Sequence, residues 1–164
     1  MRLSIFCRLC LLVILTTPIL SYAQGFQSFS QETSFATLML ECPNENIAPP
    51  RKSFGSLYSC ALGDAQTVKW FVSEEPTTEK VMNIGLLWYD WHTDAGYGIH
   101  ADSNEAEKAM SFLIDMYVPT KKNEIEKAFR GSKNEVFNTS EFVIYYTYTK
   151  GHQKDERLIV IEEK

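Results

Sequence analysis

Two amphipathic helical segments stand between two β-rich blocks, and this order is the feature that most constrains the fold. Apolar residues at periods of three and four predict a helix over 103–118, which Pro119 ends. A second helix is predicted over 121–130, with Thr120 as its cap and Gly131 as a left-handed terminator. The apolar faces expected to pack on a sheet consist of Ala106, Ala109, Met110, Leu113, Met116, Tyr117, Ile125, Ala128 and Phe129.

The chain ahead of these two helices has weaker helical features. Asp102 and Glu105 have the spacing of a capping box, which predicts that the Asp102 side chain caps the first helix. Residues 34–42 fit helical spacing and strand alternation equally well, and we favour a short helix there. The polar residues 24–33 are predicted to be a loosely held terminus.

Strands are predicted on both sides of the helix pair, where β-branched and aromatic residues are dense. A strand block, a helix pair and a C-terminal β-hairpin are together typical of an α+β domain. We therefore expect a mostly antiparallel sheet with the helix pair packed on one face. The candidate strands cover residues 54–62, 67–73, 81–91, 97–101, 141–149 and 157–162.

Residues 1–23 have the form of a secretory signal peptide. A basic start and the apolar run Leu11–Leu20 precede small residues that end at Ala23. The run is shorter than the roughly 20 residues that a membrane span needs, so we expect cleavage after Ala23. The mature chain is then a single α+β domain over 24–164 with no membrane span. We expect it to be exported; the periplasm is the favoured destination, and secretion is the alternative.

Removal of the signal leaves two of the four cysteines, Cys42 and Cys60. In an oxidising compartment an isolated pair of this kind is expected to form one disulfide. A loop of this length contributes about 3 kcal/mol in the chain-entropy description of cross-linking. The enclosed residues 43–52 contain three prolines and are predicted to be irregular, so the bridge is expected to hold a loop.

The charge balance excludes some partner classes. The predicted signal holds two of the 16 basic residues and none of the 21 acidic ones, so the mature chain has a formal charge of −7. A nucleic-acid-binding protein needs a basic surface, which this composition does not favour. Binding to anionic lipid headgroups is disfavoured for the same reason.

No established catalytic motif is present, but one polar cluster could bind a metal. The sequence lacks a Gly-x-Ser-x-Gly elbow, a phosphate-binding loop and a dinucleotide-binding motif. Asp90 and His92 share one face of a predicted strand, and His100 and Asp102 share a face of its return strand. If the two strands pair, the four side chains could hold zinc or another divalent metal, as in a metal-assisted hydrolase. We favour a structural interpretation, in which Asp94 belongs to a turn, Asp102 caps a helix, and the two histidines lie at the edge of the sheet.

Large aromatic residues occupy alternating and adjacent positions in two of the predicted strands. Tyrosine and tryptophan are favoured at protein interfaces because each joins apolar area to a hydrogen-bonding tip. One set is expected to lie in the core. The other either remains partly exposed as a binding surface or is buried within the domain as well. The candidate binding residues are Trp88, Tyr89, Trp91, Tyr145, Tyr146 and Tyr148.

These features favour an exported, non-catalytic binding protein whose partner is another protein. An inhibitor, an immunity-type protein or an accessory subunit of an envelope assembly would fit an acidic, aromatic-rich domain with one disulfide. No cofactor is expected under this hypothesis. The alternative is the metal-assisted hydrolase built on the region from Asp90 to Asp102.

Overall fold

The structure is a computed structural model that describes residues 25–94 and 96–164. The predicted signal peptide over 1–23 lies outside the described residues. None of the described helices is long and apolar enough to cross a membrane.

Seven antiparallel strands form one sheet in the spatial order β1-β2-β3-β4-β7-β6-β5. Within residues 25–94 and 96–164, three helices accompany the sheet, and a short 3-10 turn over Pro119–Lys121 runs into the third. The strands are β1 (Asn44–Ala48), β2 (Leu57–Leu62), β3 (Val68–Glu74), β4 (Val81–Trp91), β5 (Glu135–Asn138), β6 (Phe142–Thr149) and β7 (Lys154–Glu163). The helices are α1 (Phe29–Met39), α2 (Ser103–Tyr117) and α3 (Lys122–Phe129).

All three helices pack on one face of the sheet, where the core lies. The Phe112 ring of α2 lies 5.9 Å from Trp70 of β3, measured between ring centroids. The Phe129 ring of α3 lies 6.0 Å from Trp88 of β4, and the Thr37 hydroxyl of α1 bonds Tyr58 of β2. These contacts define a two-layer α+β architecture. The predicted antiparallel sheet, the helix pair on one face and the C-terminal hairpin β6–β7 are therefore confirmed.

The first helix begins earlier than the sequence pattern indicated. Ser28 and Gln31 form a reciprocal capping box, which starts α1 at Phe29. The buried Glu32 carboxylate accepts hydrogen bonds from the Gln27 N–H at 2.7 Å and from the Tyr117 hydroxyl at 2.5 Å. The prediction of a loosely held terminus over 24–33 was therefore wrong for the described residues from Gly25 onward.

Asp102 does not cap α2 as predicted. Its backbone is left-handed, with φ of 56°, and its side chain makes no hydrogen bond to the helix. The carboxylate accepts instead from the N–H groups of Ala65 and Thr67, at 3.2 and 3.0 Å, and from the Thr67 hydroxyl at 3.0 Å. Asp102 thus fastens the turn between β2 and β3 to the start of α2.

Two further predictions about helix ends were wrong. The 3-10 turn continues directly into α3, so that Lys121 and not Thr120 stands at the helix start, without a side-chain cap. Gly131 is not left-handed, and its N–H bonds the Ala128 carbonyl at 2.7 Å, which tightens the final turn.

The predicted return strand over 97–101 is absent, because this segment consists of bends and turns. Gly96, Gly98 and His100 all have positive φ, which an extended strand cannot contain. The segment leads instead from the end of β4 to the start of α2.

The two edge strands were not predicted. β1 lies within the segment expected to be irregular, and β5 follows α3. Both are short and mostly exposed, so neither has the apolar alternation of a half-buried strand. They add to the sheet through backbone pairing with β2 and β6.

Cys42 and Cys60 form the predicted disulfide, with their Cα atoms 5.9 Å apart. The bridge joins the segment after α1 to the centre of β2.

Exported protein should show no alkylated thiol until the disulfide is reduced, and its intact mass should correspond to a chain that starts at Gln24. The double variant Cys42→Ser/Cys60→Ser should lose about 3 kcal/mol of unfolding free energy. Two thiols that react freely in native exported protein would contradict this prediction.

Candidate functional site

No described helix covers the face of the sheet opposite α1, α2 and α3, and at one end of this face the Tyr97 ring of the loop after β4 lies 5.8 Å from the Trp91 ring. Side chains alternate along β3, β4, β6 and β7, so that every second residue points away from the core. Apart from the buried Gly85, these outward residues are half-buried or exposed, and most of the inward residues between them are buried. We name this surface the open face and define it by its apolar and aromatic members: Phe71, Leu87, Tyr89, Trp91, Val143, Tyr145, Leu158 and Val160.

The centre of the open face is a continuous row of cross-strand partners. Phe71 pairs with Gly85, Gly85 with Val160, and Val160 with Tyr145. Tyr145 pairs in turn with Val136 on the edge strand β5, where Val136 is 58% exposed. The row therefore crosses five neighbouring strands without a charged side chain.

Gly85 permits the close approach of one aromatic ring to the sheet. A Cβ at this position would overlap the Phe71 ring, which therefore lies directly over the glycine backbone. A ring held in this way fills the gap left by the missing side chain and keeps the apolar row unbroken.

One end of the open face combines aromatic rings with basic groups. The Lys154 Nζ lies 3.5 Å from the Tyr89 ring centroid and 5.7 Å from that of Trp91. Lys69 Nζ lies 5.5 Å from the same Tyr89 ring. These cation–π contacts restrain the lysines beside the rings, with their charges at the border of the apolar row.

The structure divides the six predicted binding residues into three groups. Tyr89, Trp91 and Tyr145 belong to the open face, where Tyr145 is 38% exposed. Trp88 and Tyr146 are buried under the helices, and β7 separates their two strands. Tyr148 lies on the helix side, beside a polar cluster at the end of the sheet.

That polar cluster consists of Asp90, His100 and Arg157. Asp90 is 5% exposed, and its Oδ1 lies 2.6 Å from His100 Nδ1. The other oxygen, Oδ2, accepts from Arg157 Nε at 3.1 Å. The buried carboxylate is thus held between a histidine from the loop after β4 and an arginine from β7.

Arg157 also binds the carbonyl end of α3. Its Nη1 donates to the carbonyls of Phe129 and Gly131, at 2.8 and 2.6 Å, and to the Tyr146 hydroxyl at 3.2 Å. Burial lowers the pKa of the Arg157 guanidinium, but the Tyr146 hydroxyl and the Asp90 carboxylate outweigh it and raise that pKa overall. Arg157 therefore remains a cation that joins the sheet to the end of a helix, where positive charge is favourable.

A second polar contact lies next to the cluster. The Tyr148 hydroxyl donates to Asp155 Oδ2 at 2.5 Å, and the Gly151 N–H donates to Asp155 Oδ1 at 3.2 Å. Burial favours the neutral acid, but the two hydrogen bonds outweigh it and lower the pKa of Asp155. The bond to Asp155 raises the pKa of Tyr148 in turn.

The four candidate metal ligands do not converge on one point. Only Asp90 and His100 meet; the His92 Nε2 atom lies 3.2 Å from the His152 carbonyl, and Asp102 binds the β2–β3 turn. In residues 25–94 and 96–164, no group of three or more His, Cys, Asp or Glu side chains is placed to hold a metal ion. The zinc site stays a prediction that this geometry does not support.

Sequence reasoning missed most of the open face and the arginine in the polar cluster. Alternation in β3 and β7 could have placed Phe71 and Val160 opposite their buried neighbours. Nothing local marks Arg157, because its contacts depend on the pairing of β4 with β7.

The fold and this surface define a two-layer α+β domain with one uncovered sheet face. Comparison with protein-family models, with curated proteins and with solved structures finds no match to this chain.

Proposed function

We propose that this chain is an exported, non-catalytic binding protein whose partner is another protein that docks on the open face. The observation that carries the proposal is the continuous apolar and aromatic row on a sheet face that no described helix covers. An antiparallel sheet can expose one face to water, but the residues on that face are then normally polar. Large contiguous apolar patches on soluble proteins mark interaction sites.

The composition of the open face suits a protein partner. Interface energy concentrates in a few large anchors, chiefly Trp, Tyr and Arg, surrounded by a polar rim. Tyr89, Trp91 and Tyr145 provide such anchors, and Lys69 and Glu156 are charged neighbours on the same side of the sheet. The strands that carry the anchors form a hydrogen-bonded sheet, so little ordering is needed on binding.

The broader role follows from the expected export. An acidic, disulfide-bonded domain that presents one rigid surface suits an inhibitor, an immunity-type protein or an accessory subunit of an envelope assembly. The Cys42–Cys60 bridge supports an oxidising compartment, where such bonds persist.

The triple variant Tyr89→Ala/Trp91→Ala/Tyr145→Ala should lose capture of a partner from envelope extract, because it removes the three anchors while leaving the core intact. Capture is measured by cross-linking and mass spectrometry, with circular dichroism as the test of folding. A matched control replaces Phe54 and Leu38, which are exposed away from the open face, and should capture the partner normally. A folded triple variant that captures as well as wild type would refute the proposal.

The metal-assisted hydrolase makes a different prediction, which the same preparation can test. Protein purified without a histidine tag should then carry stoichiometric metal, and His100→Ala or His92→Ala should remove it together with any hydrolytic activity. If the wild type captures no protein and carries such metal, the binding proposal should be abandoned for the hydrolase.

A further inference from the structure

A groove lies on the helical side of the sheet, away from the open face. It is formed by the end of α1, the turn between β2 and β3, and the first half of α2. Its volume is about 510 Å³, which falls within the range of small-ligand and side-chain pockets, roughly 300–1,000 Å³. None of the residues proposed above for partner binding lines it.

The wall of the groove is largely apolar. Leu40 and Met39 contribute from the end of α1, Leu62 from β2, and Phe112 from α2. Met39 is 51% exposed, which is high for a large apolar side chain beside a concave surface. A ligand with an apolar group would bury the exposed apolar side chains of the groove, and the removal of this surface from water would favour binding.

Acidic side chains from three different elements surround this wall: Glu41, Asp64 and Glu105. Lys108 also lines the groove, where its Nζ lies 3.4 Å from Glu105 Oε1 and balances that charge. Within residues 25–94 and 96–164, neither Glu41 nor Asp64 forms a salt bridge. The groove therefore presents two uncompensated negative charges next to apolar surface.

One disulfide and one set of hydrogen bonds fix the shape of the groove. The Cys42–Cys60 disulfide joins the chain directly after Glu41 to β2. Asp102 binds the N–H groups of Ala65 and Thr67 and so fixes the turn that carries Asp64. A preformed site of this kind loses little conformational entropy on binding.

We propose that this groove binds a peptide segment of a partner protein in which a lysine or arginine stands beside a large apolar side chain. The apolar wall would take the apolar group, and Glu41 and Asp64 would take the charge. A small inorganic cation would leave the apolar wall uncovered, and an acidic segment would be repelled. This site is separate from the open face, and its occupation does not depend on the binding proposed there.

The test uses the exported, disulfide-bonded chain and three fluorescent hexapeptides that alternate lysine with leucine, lysine with serine, or glutamate with leucine. Affinities are measured by anisotropy at about 150 mM salt, where long-range attraction to an acidic protein is screened. The lysine–leucine peptide should bind saturably, and each of the other two should bind at least about tenfold more weakly, a difference of about 1.4 kcal/mol. Amide chemical shifts should change at the groove and not on the open face.

Matched variants separate the groove from general charge. Glu41→Lys/Asp64→Lys should weaken the lysine–leucine peptide by about tenfold or more, and Met39→Ser should weaken it through lost apolar contact. Glu79→Lys/Glu135→Lys makes the same change in net charge at exposed sites elsewhere and should bind as wild type does. Equal loss in both charge variants, equal binding of the glutamate or serine peptide, or no saturable binding would overturn the proposal.

Discussion

Replacing Arg157 by alanine should lower the free energy of unfolding by about 3 kcal/mol, the lower end of the range for breaking a buried ion pair. The Asp90 carboxylate would remain buried with only the His100 imidazole as a hydrogen-bond partner. The carbonyls of Phe129 and Gly131 would lose the guanidinium donor as well. Each of these losses leaves a polar group desolvated without a full set of partners, which costs more than the bond itself contributed.

Urea unfolding followed by fluorescence would measure this loss, with Arg130→Ala as the matched control. Arg130 pairs with Glu107 on the exposed surface of the helices, so its removal should change stability by less than about 0.5 kcal/mol. The double variant Asp90→Asn/Arg157→Ala should recover part of the loss, because it removes the unpaired charge. Equal stability of the Arg157 and Arg130 variants would show that the polar cluster does not stabilise the fold.

Leu113→Ala should cost about 2–5 kcal/mol, as truncations of buried leucines do. Leu113 is fully buried on α2, the central helix of the covering layer. The cavity left between helix and sheet cannot close without moving α2, which also contacts β3, β4 and α3. Thermal or denaturant unfolding with the two-state test gives the loss directly.

Met116→Ala provides the control on the same helix. The sequence pattern included Met116 in the apolar stripe, but the structure leaves it 37% exposed. Its truncation should therefore cost less than about 0.5 kcal/mol, the range of ordinary surface changes. A loss of that small size at Leu113 would instead mean that the orientation of α2 is wrong.

The elements with strong local patterns were the ones that sequence reasoning predicted well. The strand predicted over 81–91 coincides with β4, and the helix predicted over 103–118 differs from α2 by one residue. In both, dense apolar residues repeat at the period of the element, and burial then follows the same period. The edge strands β1 and β5 lack this pattern, because they are held by backbone pairing and not by a buried face.

The candidate site could be predicted only in part, because it depends on local backbone conformation and on the pairing of strands that are distant in sequence. Tyr89, Trp91 and Tyr145 were named from their residue types, but alternation did not indicate which of the two sets faces the core; the cross-strand pairing decides that. The return strand predicted over 97–101 does not form, because Gly98 and His100 have positive φ. The residue type of a histidine does not reveal this, since such a backbone is uncommon outside glycine. The contact of Asp90 with Arg157 joins residues 67 positions apart, so no local pattern contains it.

The position of β7 has a consequence for the order in which the chain can fold. This strand is the last of the seven in sequence, yet it lies between β4 and β6 in the sheet. Until β7 is in place, β1–β4 and β5–β6 are two separate hairpin assemblies with unpaired inner edges. Such edges invite pairing with other chains, and pairing over long sequence distances is slow. A chain that emerges amino end first would therefore complete its central ladder only at the final step.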